Sequence, residues 1–240
     1  SQSSDGSSWH RIIVPVLTGI LYFILVMSSS GYLLQSLVEE KQNRTMEMMI
    51  TSMTPNQLMI GKIIGNLGVG LTQILVWVLI IAIGLFFFQG RLSFLSEMRL
   101  SPGAIAISMA LLVLAYIVAA GLFAIIGASM STMEEAQSVT GLMVLPMMLP
   151  MYFFQSFFTN PNGVIPKIFS YFPLSAPMSL SLRMAFTRVP TWEIVLVFVI
   201  LIVSIVLVFW LSGRAFRRGL LEYNKRIKLR DLFVKEVSHG

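Results

Sequence analysis

The chain has 240 residues, of which 56% are hydrophobic and 12% charged, with a mean hydropathy of +0.81 and a formal net charge of +6. Soluble domains carry about 25% charged residues, so this composition excludes an ordinary water-soluble globule and points to the bilayer. There is no cysteine, and His10 and His239 lie near opposite ends, which leaves no basis for a disulfide framework, a cysteine redox centre or a histidine metal cluster.

The charges outline the elements. No Asp, Glu, Lys or Arg lies between Arg11 and Glu39, Lys62 and Arg91, Arg99 and Glu134, Glu135 and Lys167, or Glu193 and Arg214. Each gap is about 20 residues or longer, enough for a helix to cross a hydrocarbon core of about 30 Å. The runs are continuous rather than alternating, so helices and not barrel strands are expected. Five spans follow, at about 12–38, 55–88, 103–130, 136–158 and 192–213.

Residues 1–10 form a polar stub, SQSSDGSS, that begins with Ser1 and has no signal-peptide pattern. A fragment, a processed product or the ordered part of a longer protein is expected. The first span carries Ser28, Ser29, Ser30 and Gly31 near its middle. Small residues there permit close helix approach, and packing is weighed against a substrate contact.

Next comes the one long polar interruption between two apolar runs, Val38 to Lys62. Residues 39–53 read as an amphipathic helix: Met46, Met49, Ile50 and Met53 recur at three- and four-residue spacing, while Arg44, Glu47 and Thr51 fall largely on other faces. Thr54 offers an N-cap hydroxyl and Pro55 suits a first helical position, so a new helix should start there. A simple reversal needs only a few residues. An amphipathic helix followed by a capped restart is expected to be a docking surface, against the plainer reading of a helix lying on the bilayer.

The second span begins at Pro55 and is long for one crossing. Gly61, Gly65 and Gly68 offer a smooth face to a neighbouring helix. Asn66 and Gln73 stand two turns apart on one face. Uncharged polar side chains in a bilayer need partners; an interhelical hydrogen bond and the lining of a transport path both meet that need. The third span gathers Ala119, Ala120, Gly121, Ala124, Gly127 and Ala128 in its second half, again a packing surface. Ser131 or Thr132 followed by Glu134 or Glu135 resembles a helix start; capping and the helix dipole explain the two acids better than acid–base catalysis does.

The fourth span contains Pro146 and Pro150 and should be bent or broken. Residues 161–190 are too interrupted by proline to span, yet rich in apolar side chains. Two short helices, roughly Val164–Tyr171 and Ala176–Phe186, are expected there as a re-entrant segment lying in or dipping into the outer leaflet, with Lys167, Arg183 and Arg188 snorkelling to the headgroups. The last span has Trp192 and Trp210 as interfacial anchors.

The tail 214–240 has eight basic residues against Glu222, Asp231 and Glu236. By the positive-inside rule it is cytoplasmic. Counting back through five spans puts the N-terminus outside and the 39–53 helix in the cytoplasm. Topology and anionic lipid explain the basic surface without nucleic acid. No GxxxxGK[ST], HExxH or GxSxG motif occurs. Lys62 and Glu193 stand near span ends and no Asp, Glu, Lys or Arg lies deeper within a span, so any energy source is expected to come from another subunit.

Three blocks then resemble the type-2 ATP-binding-cassette (ABC) exporter permeases, in particular their sodium-exporter-like branch. In EEKQNRTMEMMITSMTPNQLMIGKIIG, Glu40, Lys41, Asn43, Thr45, Glu47, Thr51, Ser52, Leu58, Gly61, Lys62 and Gly65 fill positions of the family's pattern. YFPLSAPMSLSLRMA (171–185) is similar to the segment before the family's last span, and RAFRRGLLEYNKR (214–226) to its post-membrane helix. Such permeases have six spans with a large external domain between the first two. The resemblance therefore implies that the first helix and external domain are missing here.

The resemblance implies an all-α polytopic membrane protein with five transmembrane helices, a cytoplasmic amphipathic coupling helix and short outer-leaflet helices, in a prokaryotic cell membrane. It further implies a permease, not itself an enzyme, that exports substrate from the cytoplasm or inner leaflet. ATP with Mg is hydrolysed by cytoplasmic ABC ATPase subunits, and no cofactor binds this chain. A second permease copy or a homologous permease completes the path, and membrane lipids surround it. Glu39, Glu40, Lys41, Arg44, Thr45, Met46, Glu47, Met48, Met49 and Ile50 are the expected ATPase-coupling residues, the methionines because they adapt to irregular grooves. Asn66, Gln73, Pro146 and Pro150 are the path candidates. A non-transporting sensor or assembly partner on the same scaffold is the alternative; a membrane-embedded enzyme lacks a visible catalytic cluster.

Overall fold

The computed structural model describes residues 8–42, 54–87 and 102–221. Among them every regular element is helical. Helix α1 (Ser8–Leu25) passes through one wide π-helical turn, Val26–Ser30, into α2 (Gly31–Gln42). Then come α3 (Pro55–Phe87), α4 (Pro102–Ser129), α5 (Met133–Tyr152), α6 (Phe154–Thr159), α7 (Val164–Tyr171), α8 (Ala176–Phe186) and α9 (Thr191–Leu221).

Two helix starts follow from local chemistry. Thr54 caps α3 in a reciprocal box: its Oγ1 accepts the Gln57 N–H at 3.4 Å, and the Gln57 Oε1 accepts the Thr54 N–H at 3.0 Å. Pro55, with no N–H to satisfy, takes the first helical position. At α5 the Thr132 side chain accepts the Glu135 N–H at 3.3 Å, with Glu134 and Glu135 in the first turn.

Four helical stretches among the described residues are long and apolar enough to cross a membrane: Pro15–Glu40, Ile60–Gly84, Gly103–Ser129 and Thr191–Ala215. The predicted fourth span, about 136–158, is not one of them. Gln137, Ser138, Thr140 and Gly141 dilute its apolar character. Pro150 removes a backbone donor, and three residues later the helix opens at Phe153 (φ −96°, ψ 19°) before α6 resumes. The region is thus two helices, α5 and α6. The helices expected between 161 and 190 are α7 and α8.

Helix α4 is the axis of the bundle. It packs most extensively on α9 and next on α2, with further contacts to α8 and α1. Of its apolar stretch 67% is buried, against 6% for that of α3 and 17% for that of α9. Small residues allow this. Ala115, Ala119, Ala120, Ala124 and Ala128 are all buried, and a Cβ on Gly121 would stand 2.4 Å from Val208 Cγ1. The glycine face of α3 is different: a Cβ on Gly61, Gly65 or Gly68 would meet nothing within 4 Å. Among the described residues nothing packs closely on that face, because α3 turns Asn66 and Gly70 inward instead.

The directions of the helices define two ends. Lys62 near the start of α3 meets Glu40 near the end of α2 at one end; Ser108 of α4 bonds Ser181 of α8 at the other, at 2.9 Å. These are called the α2–α3 end and the α7–α8 end.

Candidate functional site

Three polar clusters punctuate an otherwise apolar bundle, one at each end and one between. A polar group in such surroundings is costly unless it has partners, so each cluster marks where specific geometry outweighs hydrophobic burial.

The middle cluster joins the π turn to α3 and α4. Ser28 Oγ donates to Gln73 Oε1 at 3.0 Å, and Ser29 Oγ lies 3.1 Å from Asn66 Oδ1 and 2.7 Å from the Tyr116 hydroxyl. Tyr116 donates to the Asn66 carbonyl at 2.8 Å, and Asn66 Nδ2 lies 3.3 Å from the phenolic oxygen. The wide turn, a form common at functional sites, sits where Ser28 and Ser29 reach two levels of α3. Gly70 makes room for the phenol: a Cβ there would lie 2.3 Å from Tyr116 Oη. Asn66 and Gln73 therefore both make the interhelical hydrogen bonds that their chemistry demands. Tyr116 escaped the sequence reading, although a tyrosine in an apolar run is itself a sign of a buried partner.

A cavity of about 350 Å³ opens beside this cluster, between α2, α4 and α5. Ser28, Gln35, Gln137 and Thr140 line it together with Phe123 and Met133. Ser28 thus belongs to both the hydrogen-bonded cluster and the cavity wall. Of the other path candidates, Pro146 is half-buried and Pro150 buried in α5. Helix α5 packs on α2 rather than substantially on α3, so the four residues do not converge; they fall into two groups.

At the α7–α8 end the expected snorkelling is corrected for one residue. Arg183 is fully buried. Its Nη2 donates to Glu193 Oε2 at 2.6 Å and to Asn162 Oδ1 at 3.2 Å, and its Nε to the Pro161 carbonyl at 3.0 Å. Glu193 is only 3% exposed, and Lys167 Nζ lies 3.7 Å from its other oxygen. The acid is in the first turn of α9, where the helix dipole favours negative charge. Sequence reading supplied the cation and the anion but not their meeting, which depends on the α7–α8 hairpin folding back onto α9. Desolvation first, and then the Glu193 carboxylate, push the Tyr171 hydroxyl above the usual phenol range. Arg188, by contrast, is exposed.

At the α2–α3 end, Lys62 Nζ donates to Glu40 Oε1 and, at 3.0 Å, to Ser36 Oγ. Ser36 Oγ in turn donates to the same Glu40 oxygen at 3.1 Å. Beside them Gln35 Nε2 donates to Glu39 Oε1 at 2.6 Å. Lys41 lies in the last turn of α2. Arg44, Thr45, Met46, Glu47, Met48, Met49 and Ile50, and with them the amphipathic helix 39–53 beyond Gln42, lie outside the described residues. Among the described residues, no three His, Cys, Asp or Glu side chains are grouped so as to hold a metal.

Residues 4–214 match the family model described as ABC-2 family transporter protein. An uncharacterized protein of Methanocaldococcus jannaschii, MJ1024, is 32% identical over 218 residues, covering 91% of this chain and 52% of its own. The uncharacterized protein YhaP of Bacillus subtilis is 27% identical over 226 residues, covering 88% of this chain and 52% of its own. The chain thus spans about half the length of these curated relatives. No solved structure matches it.

Proposed function

The chain belongs to the ABC-2 family of transporter proteins, and from that premise we propose that it is the membrane permease part of an exporter whose ATP, with Mg, is hydrolysed by separate cytoplasmic ABC ATPase subunits. The observation that carries the reading is the family match across residues 4–214, which takes in all four apolar helices almost to their last residue.

The finer features follow from this premise. The tail beginning at Arg214 is basic, so the α2–α3 end is cytoplasmic and the α7–α8 end external. Helices α5 and α6 together make a fifth, broken crossing, and a second permease copy or a homologous permease faces this one. Segment 39–53 is the coupling element. Met46, Met48, Met49 and Ile50 enter a groove on the ATPase, and Glu39, Lys41, Arg44, Thr45 and Glu47 make polar contacts around it, while Glu40 pairs with Lys62. The sodium-exporter-like branch remains the proposed placement within the family.

The substrate leaves through the region that the Ser28–Gln73 contact and the adjoining cavity mark out. That cavity mixes amide and hydroxyl groups with Phe and Met, a lining that suits an uncharged amphiphile entering from the membrane better than a bare ion. In this scheme Asn66 and Gln73 line the path on one side, while Pro146 and Pro150 bend α5 on the other.

Purification of the full-length protein from its native membrane tests the proposal. The account expects a soluble protein carrying a phosphate-loop motif to accompany it, and expects ATP hydrolysis to disappear when that protein is stripped away. Retention of full ATPase activity by the stripped permease would overturn the division of labour. A bound ATPase whose rate no membrane-derived amphiphile alters would instead favour a non-transporting sensor.

A further inference from the structure

The least enclosed apolar helix, α3, packs along one narrow side on α9 and α4, with Leu58 and Ile63 buried, and is joined to the chain by polar contacts as well. Only 6% of its apolar stretch is buried, and its packing against α2 is slight. Two of the polar clusters supply what packing does not: the Ser28, Ser29 and Tyr116 contacts halfway along, and the Lys62 contacts at the α2–α3 end.

The second of these has a particular position. The chain leaves α2 at Gln42 and enters α3 at Pro55. Glu40 lies two residues before the first point and Lys62 seven after the second. Their ion pair therefore clasps together the end of α2 and the start of α3, the two helices that flank segment 43–53. Ser36 makes it a three-membered unit, since its hydroxyl accepts from Lys62 and donates to Glu40 one helical turn away. A lysine at the mouth of an apolar helix would ordinarily extend toward water or headgroups. Here it bends across to α2, and its side chain is only 14% exposed.

We infer that Glu40 and Lys62, braced by Ser36, are positioning residues for energy transfer. They join the end of α2 to the start of α3 as one base, so that a push delivered there moves the two helices together and reaches the middle cluster. Without the clasp the same push separates the helix ends and dissipates there. The inference rests on the permease reading above, since it needs a partner that pushes. It differs from that reading in one respect: neither residue needs to touch the ATPase.

The test uses full-length permease with its co-purifying ATPase, reconstituted in liposomes of native lipid, and compares wild type with Lys62→Met, Glu40→Gln, Lys62→Arg and the charge-exchanged pair Glu40→Lys with Lys62→Glu. Two quantities are read: the amount of ATPase bound, and the factor by which the permease changes the ATPase rate. The inference expects Lys62→Met and Glu40→Gln to bind ATPase as wild type does while that factor falls about fivefold or more, as loss of a coupling free energy requires. Lys62→Arg and the exchanged pair should restore most of it. A purely structural role would lower binding and coupling alike and would leave the exchanged pair no better than the single variants; that result overturns the inference, as does unchanged coupling in both single variants. If wild type itself binds no ATPase, the permease reading fails first, and the inference falls with it. Glu40→Gln keeps the shape and one acceptor of the carboxylate, so a folding defect in Lys62→Met does not remove the test.

Discussion

The two ends of the bundle each carry an ion pair, and the pairs differ in kind. Arg183 and Glu193 are 0% and 3% exposed and are surrounded by further hydrogen bonds to Pro161 and Asn162. Lys62 and Glu40 are 14% and 20% exposed and share a single serine. Buried opposite charges repay their desolvation only with close geometry and extra hydrogen bonds, and losing one partner strands the other. Partly exposed pairs are screened and contribute little to stability. One end is therefore fixed as a cap, while the other is joined by a contact that can bear force without holding up the fold.

The largest expected effect lies at the dry end. Arg183→Leu leaves Glu193 buried with only the more distant Lys167 opposite it and should lower stability by about 3 kcal/mol, seen as an earlier thermal transition of the purified protein. Adding Glu193→Leu should recover most of the loss; a single variant that melts with the wild type would mean that the pair is not dry. Between the ends, Gly70→Val drives new atoms into the Tyr116 ring and should cost about 1–3 kcal/mol. Thr54→Ala removes the cap of α3 and should cost about 1 kcal/mol, read most directly as faster amide exchange in residues 57–60. The smallest effect belongs to the wet end: Lys62→Met should change stability by less than about 1 kcal/mol. Equal destabilisation by Lys62→Met and Arg183→Leu would erase the contrast.

Much of this was legible from the sequence, for reasons that differ by element. Apolar runs fix helices by length alone, and Thr54-Pro55 and Thr132 mark helix starts by chemistry that acts over three residues. The small residues of α4 likewise announced a packing face, and Gly121 serves as one. Long-range pairing was not legible. From its neighbours alone Arg183 reads as snorkelling, because nothing local reveals that α8 returns to the first turn of α9. Asn66 and Gln73 were recognised as needing partners, but Ser28, Ser29 and Tyr116 come from residues 37 to 50 positions away. Lys62 and Glu40 were noted as parts of one motif, yet their contact requires α3 to run back alongside α2. The fourth apolar run shows the opposite limit. Its prolines foretold a break, but only the structure places it at Phe153.

The central claim, that segment 39–53 receives a push from a separate ATPase, can be tested directly because the chain has no cysteine of its own. Met48→Cys in the full-length protein, with any cysteine outside these 240 residues replaced, would be fitted with a short photo-crosslinker and illuminated in native membranes. The account predicts a covalent adduct with a soluble protein that contains a phosphate-loop motif. Adducts with lipid alone, at Met48 and at neighbouring positions, would contradict it.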